Sequence, residues 1–180
     1  MKNIYLFLAP SGSGKTAVIN ILHNQYGLKE LSSYTTRQPR YDGESCHTFV
    51  SVAEFKALTN LIGYTEYAGN YYAATADQVE DSDLYTIEVD GIDYFKHNYH
   101  GTKGYKILYI DSPLTVRMER MERDRGFDAA LDRIKKDIIA FREADKLSDK
   151  KFINGEHTDL NKLAQQIYDY IADCEVGEMS

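Results

Sequence analysis

A glycine-rich segment near the start of the chain has the residues that bind phosphate groups. Residues 9–16 read Ala-Pro-Ser-Gly-Ser-Gly-Lys-Thr and directly follow the apolar run 4–8. This is the strand, turn and helix order of a P-loop, whose backbone N–H groups converge on phosphate oxygens at a helix N-terminus. The lysine can reach the outer phosphates of a nucleotide, and the threonine hydroxyl can ligate magnesium. The residues predicted to bind phosphates are Gly12, Ser13, Gly14, Lys15 and Thr16, and Thr16 is the predicted magnesium ligand. Ala9 stands where the pattern has its first glycine.

Two arginines on a later loop, Arg37 and Arg40, are spaced to hold one phosphate group. They are separated by Gln38 and Pro39, so two planar guanidinium groups can face the same phosphate oxygens. Paired arginines on a loop are often simply solvated. The P-loop upstream favours the phosphate interpretation, and the sequence then predicts two phosphate-containing ligands.

Alternating strands and helices position these residues. Predicted strands cover 4–8, 84–89, 105–110 and 151–153, and predicted helices cover 17–26, 91–99, 113–124, 128–147 and 160–172. Asp111 or Ser112 is the expected cap of the third helix, with Pro113 in its first turn. This alternation predicts an α/β fold with a parallel sheet flanked by helices on both faces.

One segment departs from that alternation. Residues 31–75 contain short tyrosine-rich runs, glycine breaks and a small helix near 52–59. We interpret them as an inserted mixed β subdomain within a single domain of 180 residues, whose core is formed by 1–30 and 76–180.

Composition narrows the class of partner. The net charge of −7 argues against a nucleic acid polymer, which requires clustered positive charge. Cys46 and Cys174 match no metal-ligand or redox spacing, and we expect free thiols in a reducing compartment. The apolar runs are too short to span a membrane, so the expected location is the cytoplasm. The sequence does not indicate an oligomeric state.

Several segments together resemble the guanylate kinase family. Beyond the P-loop, they are Thr-Thr-Arg-Gln-Pro-Arg at 35–40, Gly-Glu at 43–44, Phe-Val-Ser at 49–51, Gly-Asn-Tyr-Tyr at 69–72, Arg-Gly at 125–126 and Phe-Ile-Asn at 152–154. The likeness spans nearly the whole chain in order and at similar spacing. It implies a P-loop kinase core that uses ATP and Mg²⁺ to phosphorylate a nucleoside monophosphate.

The resemblance also assigns roles to individual residues. Arg37, Arg40 and Tyr72 match the residues that hold the acceptor's phosphate, and Asn154 belongs to the nucleotide-binding set. Asp90 matches an acidic residue near the acceptor and the magnesium waters, although its position after a strand would equally suit a helix cap. We expect Glu88 on the same strand face as Asp90, where the two carboxylates can act together.

A short helical lid, about 120–133, is implied by the same resemblance. Arg125 and Arg133 match lid arginines, which neutralise the transferring phosphoryl group on closure. The helix before Gly126 has an extra residue relative to the family pattern, so either Arg120 or Met121 falls at another arginine position. We favour Arg120; an exposed charged helix is the alternative for Arg120 and Arg123.

The positions expected to read a guanine base are altered. The resemblance implies a glutamate six positions before Gly69 and a serine two positions after Tyr72, where this chain has Gly63 and Ala74. The candidate polar partners for a base are Ser33, Thr75 and Asp90, and His47 and Glu66 are candidate substitutes for the missing glutamate. Glu66 lies at an odd offset from Gly63, which on a strand points to the opposite face.

These observations leave the function with one leading interpretation and two alternatives. The leading one is transfer from ATP to a nucleoside monophosphate, with GMP or dGMP implied by resemblance. The first alternative is a kinase for another (deoxy)nucleotide or a phosphorylated sugar, because a site that loses its hydrogen-bonding partners loses base discrimination. The second is a non-catalytic guanylate-kinase-like binding module, which predicts loss of the P-loop lysine and lid arginines that this chain retains.

Overall fold

The structure, a computed structural model, describes residues 1–39, 41–44, 47–67 and 69–177. Arg40 and Cys46, both singled out in the sequence, lie outside the described residues. In chain order the elements are β1 (Asn3–Leu8), α1 (Lys15–Tyr26), β2 (Tyr34–Thr35), β3 (Thr48–Phe49), α2 (Val52–Lys56), β4 (Leu61–Tyr67), β5 (Asn70–Thr75), α3 (Ala76–Glu80), β6 (Leu84–Thr86), α4 (Gly91–Asn98), β7 (Gly104–Asp111), α5 (Leu114–Arg125), α6 (Phe127–Ala140), α7 (Ala144–Leu147), β8 (Lys150–Ile153) and α8 (Leu160–Gly177).

A parallel four-stranded sheet forms the core, in the order β6-β1-β7-β8. Every residue of β1 is buried, as expected for the central part of a sheet covered on both faces. On one face, Val18 of α1 and Ile167 of α8 join Phe7 in a hydrophobic cluster. On the other face, Phe95 of α4 packs in a cluster with Leu6. The predicted α/β class is confirmed.

A second, mixed sheet is formed by the strands between 34 and 75, in the order β3-β2-β5-β4. β2 and β3 are parallel, whereas the β2–β5 and β4–β5 pairs are antiparallel. The register of β4 on β5 shifts between Leu61 and Gly63. Ile62 and Ala74 are buried in the same cluster as Leu6, so the two sheets share a hydrophobic core.

The structure corrects the predicted strand at 84–89. Strand β6 ends at Thr86, and residues 89 and 90 form a turn before α4. Glu88 and Asp90 therefore lie in a loop and have no strand face to share. Asp90 occupies the N-cap position of α4, but its side chain makes no capping hydrogen bond.

The helix boundaries differ in three further places. Asp111 is the last residue of β7 and accepts a hydrogen bond from the Ser112 N–H, and Pro113 is the N-cap of α5, so the predicted cap was wrong. The predicted helix 128–147 is divided into α6 and α7. Helix α3 was not predicted. In the described part of the chain, every helix is too short or too polar to cross a lipid bilayer.

Candidate active site

The glycine-rich segment 9–16 forms the wall of a cavity of about 420 Å³. Gly12 and Gly14 have φ angles of +77° and +87°, which residues with a side chain rarely adopt. Helix α1 begins at Lys15 without a side-chain cap. The N–H groups of its first turn are therefore available to an anion, and the helix dipole favours negative charge there. Thr16 is exposed and also lines this cavity.

The side chains of Asn154 and Arg120 are hydrogen-bonded to the backbone of the P-loop. Asn154 is 1% exposed and donates from Nδ2 to the Ser13 carbonyl at 2.7 Å. Arg120 donates from its two terminal nitrogens to the carbonyls of Gly12, at 3.1 Å, and Gly155, at 3.2 Å. Asn154 was predicted to belong to the nucleotide-binding set. Its amide supports the P-loop at Ser13, and it is not among the residues that line the cavity, so a contact with the nucleotide stays a prediction.

Helices α5 and α6 are attached to the P-loop by a buried ion pair. Arg117 and Asp137, both 8% exposed at the side chain, meet at 2.7 Å. Asp137 also accepts from the Ser11 N–H at 2.8 Å, and Arg117 donates from Nε to the Ser11 carbonyl at 2.9 Å. Arg133 donates to the Ser11 hydroxyl at 2.8 Å. Arg125, Arg133 and Asp137 all line the cavity beside the P-loop.

Lys15 lies at this cavity in a largely desolvated position. Burial lowers the pKa of its ammonium group, while the carboxylates of Glu88 and Glu30 oppose that effect. A desolvated cation at the N-terminus of a helix is strongly attracted to an anion that can pair with it. The arrangement therefore suits a polyphosphate, whose oxygens would stabilise the charged form of Lys15.

A second cavity, of about 490 Å³, lies between the two sheets and is lined by Ser33, His47, Tyr72, Asp90 and residues of β4, β5 and β6. Ser33 Oγ and His47 Nδ1 lie 2.9 Å apart, in hydrogen-bond contact. The His47 ring also meets the Tyr72 ring edge-on, with centroids 5.7 Å apart. Glu88 lines both cavities, so the two are adjacent at this residue.

Arg37 is held beside this second cavity by Glu44. The guanidinium of Arg37 contacts the two carboxylate oxygens of Glu44 at 2.7 and 3.2 Å, and it lies 5.3 Å from the centre of the Phe49 ring. The Glu44 side chain is 2% exposed. The hydrogen bond from Arg37 to Glu44 raises the pKa of Arg37 still further, with a smaller contribution from Tyr72. Arg37 is therefore a fixed cation close to Tyr72.

The structure brings many of the predicted site residues to the walls of the two cavities, whereas Arg37, Arg120, Asn154 and Glu66 line neither of them. Glu66 is exposed on β4 opposite Tyr71 and is not among the residues that line the second cavity, where its neighbours Tyr64 and Thr65 lie. Three residues at the site were missed: Asp137, Glu44 as the partner of Arg37, and Tyr85. Only the pairing with Glu44 had a sequence signal, because the Gly-Glu step at 43–44 is part of the family resemblance.

Comparison with known proteins gives a consistent result. The family model described as guanylate kinase matches residues 1–173. A protein named guanylate kinase from Shewanella violacea is 32% identical over 168 residues, which cover 84% of this chain and 75% of the relative. A solved guanylate kinase from Anaplasma phagocytophilum has a TM-score of 0.58 at 19% identity, over 94% of this chain and 85% of the other. A shikimate kinase from Acinetobacter baumannii, solved in complex with shikimate, has a TM-score of 0.52 at 14% identity, over 96% and 94%.

Proposed function

The chain belongs to the guanylate kinase family, and from this premise we propose that it transfers a phosphoryl group from ATP to a nucleoside monophosphate. GMP or dGMP is the default acceptor because the family is named for it. The observation that carries the proposal is the pair of cavities that are adjacent at Glu88: one is lined by an uncapped helix N-terminus with Lys15, and the other lies beside Arg37. Donor and acceptor phosphates bound in the two cavities would meet at their common wall.

In the proposed reaction, an oxygen of the acceptor's phosphate attacks the terminal phosphorus of ATP while the bond to ADP breaks. Little covalent chemistry is required of the protein, so its contribution is positioning and electrostatic stabilisation. Lys15 and the backbone N–H groups of α1 hold the donor phosphates. Arg37 and Tyr72, with Arg40, hold the acceptor phosphate, and Arg125 and Arg133 neutralise charge on the transferring group.

The residues present fit a bound magnesium ion. Thr16 presents an exposed hydroxyl at the cavity beside the P-loop, and the carboxylates of Glu88 and Asp90 lie where they can accept hydrogen bonds from metal-bound water. When bound, the ion supplies charge neutralisation on the phosphate oxygens. Glu88 and Asp90 would orient the water molecules of the ion from the side of the second cavity, which we call the acceptor cavity.

The proposal is tested by ADP release coupled to a detectable reaction, with ATP, magnesium and a panel of nucleoside monophosphates and sugar phosphates. We expect turnover with at least one nucleoside monophosphate. Lys15→Met should lower that turnover about 1000-fold or more, because it removes a cation that contacts the transferring charge. Its circular dichroism spectrum should match that of the wild type. Undiminished turnover by Lys15→Met, or turnover with sugar phosphates alone, would contradict the proposal.

A second acceptor class is favoured by one observation. Gly63 and Ala74 line the acceptor cavity and present no polar side chain to a base. These two positions therefore provide no hydrogen bond that would select guanine. A (deoxy)nucleotide other than GMP is therefore the second candidate, and the same panel distinguishes it. A protein that binds nucleotides without turnover would instead be a binding module.

A further inference from the structure

Tyr85 has an unusual position in the acceptor cavity. It lies in the middle of β6, paired with Leu6 of β1, and is 8% exposed. Its hydroxyl fills the space beside Gly63: a Cβ atom built on Gly63 would lie 2.6 Å from Tyr85 Oη. Both residues line the acceptor cavity. The position without a side chain on β4 is thus occupied by a hydroxyl from β6.

Among the described residues, the Tyr85 hydroxyl makes no hydrogen bond, and its oxygen is not one of their fully buried unpartnered polar atoms, so it is accessible from the cavity. The hydroxyl groups of largely buried tyrosines normally find a hydrogen-bond partner. Two other buried tyrosines follow this rule: Tyr5 donates to Glu175, and Tyr99 donates to Glu80. An unpaired hydroxyl at a cavity wall is therefore available to a ligand.

The protonation state of the Tyr85 hydroxyl determines which hydrogen bonds it can make with a ligand. Burial raises its pKa to about 12, so the hydroxyl stays protonated at neutral pH. A neutral hydroxyl donates as well as accepts, whereas the carboxylates of Glu88 and Asp90 in the same cavity only accept. Tyr85 therefore adds a hydrogen-bond donor to the acceptor cavity, where the charged groups Glu88 and Asp90 can only accept hydrogen bonds.

We propose that Tyr85 is the residue that reads the nucleobase of the acceptor, by donating a hydrogen bond to a carbonyl oxygen or an unprotonated ring nitrogen on the edge of the base. The inference rests on the proposed function, because it takes the acceptor to be a nucleoside monophosphate. It makes Tyr85 a specificity-determining residue, supported by Gly63, whose missing side chain leaves room for the hydroxyl.

The test measures base preference in four variants, by initial rates across the nucleoside monophosphate panel and by calorimetric titration of the same nucleotides without ATP. Tyr85→Phe should weaken binding and lower kcat/KM for the preferred nucleotide about tenfold, mainly through KM, because one hydrogen bond is lost. Values for the disfavoured nucleotides and the KM for ATP should change less than about twofold, so that base preference falls.

Gly63→Ala provides an independent test, because the added methyl group must displace the Tyr85 hydroxyl while its next neighbour, Ala74 Cβ, is 3.8 Å away. It should cause the same loss of preference. The double variant of Gly63→Ala with Tyr85→Phe should be no worse than either single variant, since phenylalanine has no hydroxyl to displace. Tyr99→Phe, in the same hydrophobic cluster but hydrogen-bonded to Glu80, is the matched control and should leave base preference unchanged.

The outcomes separate this inference from the proposed function. Turnover with an unaltered base preference in Tyr85→Phe, or with no base preference in the wild type, would overturn the inference alone. Binding without turnover would contradict the kinase activity, while the ratios of dissociation constants still decide the role of Tyr85. A wild-type protein that binds none of the nucleotides would overturn both.

Discussion

At the scale of single residues, Arg37 shows how a charged group is prepared for a ligand. Its two-point contact with the buried carboxylate of Glu44 fixes the plane of the guanidinium, and the Phe49 ring lies 5.3 Å from it. A cation already held in one orientation loses less conformational entropy when it binds a phosphate. Glu44 therefore acts as a positioning residue.

Arg37→Lys should raise the KM for the acceptor about 10- to 100-fold, because lysine cannot make the bidentate contact with Glu44 and still face a phosphate. The KM for ATP should change little, since the donor phosphates bind in the other cavity. Steady-state kinetics with both substrates varied would measure the two constants. Arg142→Lys, at a side chain that is 75% exposed, is the control. Equal changes in both KM values would argue against a role confined to the acceptor.

The sequence predicted the residues whose partners are close in the chain. The P-loop could be identified from the sequence because the glycines, Lys15 and Thr16 all lie within one short segment. Tyr85 and Asp137 could not be found in this way, because each depends on a neighbour in another element: Tyr85 on Gly63, and Asp137 on Ser11 and Arg117. The hydrogen bond from Asn154 to the Ser13 carbonyl could not be found from sequence either, because the two residues are 141 positions apart in the chain.

At the scale of elements, helices α5 and α6 are attached to the P-loop by a small set of side chains. The Arg117–Asp137 pair attaches α5 and α6 to the P-loop at Ser11, whereas Gly126, with a φ of +81°, joins the helices at their other ends. The two helices pack through Met121, Ala130 and Ile134.

Asp137→Asn should destabilise the protein by about 2–4 kcal/mol, because it leaves the Arg117 charge buried without its partner. Urea unfolding followed by circular dichroism would measure the change. Asp132→Asn, at an exposed position of the same helix, should stay within about 0.5 kcal/mol of the wild type. Combining Asp137→Leu with Arg117→Met should recover much of the loss. If Asp137→Asn changed the free energy of unfolding as little as the control does, the ion pair would not contribute to attaching α5 and α6 to the P-loop.

The errors in the predicted elements have local causes. Helix α3 was missed although Thr75 and Gln78 form a capping box, a signal that can be read from sequence. Strand β6 was predicted too long because Ile87 and Val89 are apolar, but Ile87 is buried in a loop and not on a strand. Apolar character indicated burial correctly and extended structure incorrectly.

At the scale of the whole molecule, both ends of the described chain are joined on one side of the core sheet. Glu175 near the end of α8 accepts hydrogen bonds from the backbone of Lys2 and Asn3 and from the Tyr5 hydroxyl. Burial alone would raise the pKa of Glu175, but these hydrogen bonds outweigh it and lower the pKa below its usual value of 4.5. The contact closes α8 onto β1.

The stabilisation from Glu175 should depend on pH. Because its pKa is lower in the folded than in the unfolded protein, the contribution is complete above about pH 4.5 and is lost as the pH falls through the folded value. Glu175→Gln should therefore lower the free energy of unfolding by about 1–2 kcal/mol at pH 7. The difference from wild type should shrink in acid, as measured by urea unfolding from pH 7 to pH 3. Glu119→Gln, at an exposed position, is the control, and a pH-independent difference would contradict the assignment.

The contact between Gly63 and the Tyr85 hydroxyl also limits how the lineage of this chain can evolve. Any side chain gained at position 63 while Tyr85 is present collides with that hydroxyl, whereas a smaller residue at position 85 first opens the space. Mutational paths between this acceptor site and one with a side chain on β4 therefore have a preferred order, with position 85 changing before position 63. We therefore expect the two positions to be epistatic, so that Gly63→Ala has a smaller effect in Tyr85→Phe than in the wild type.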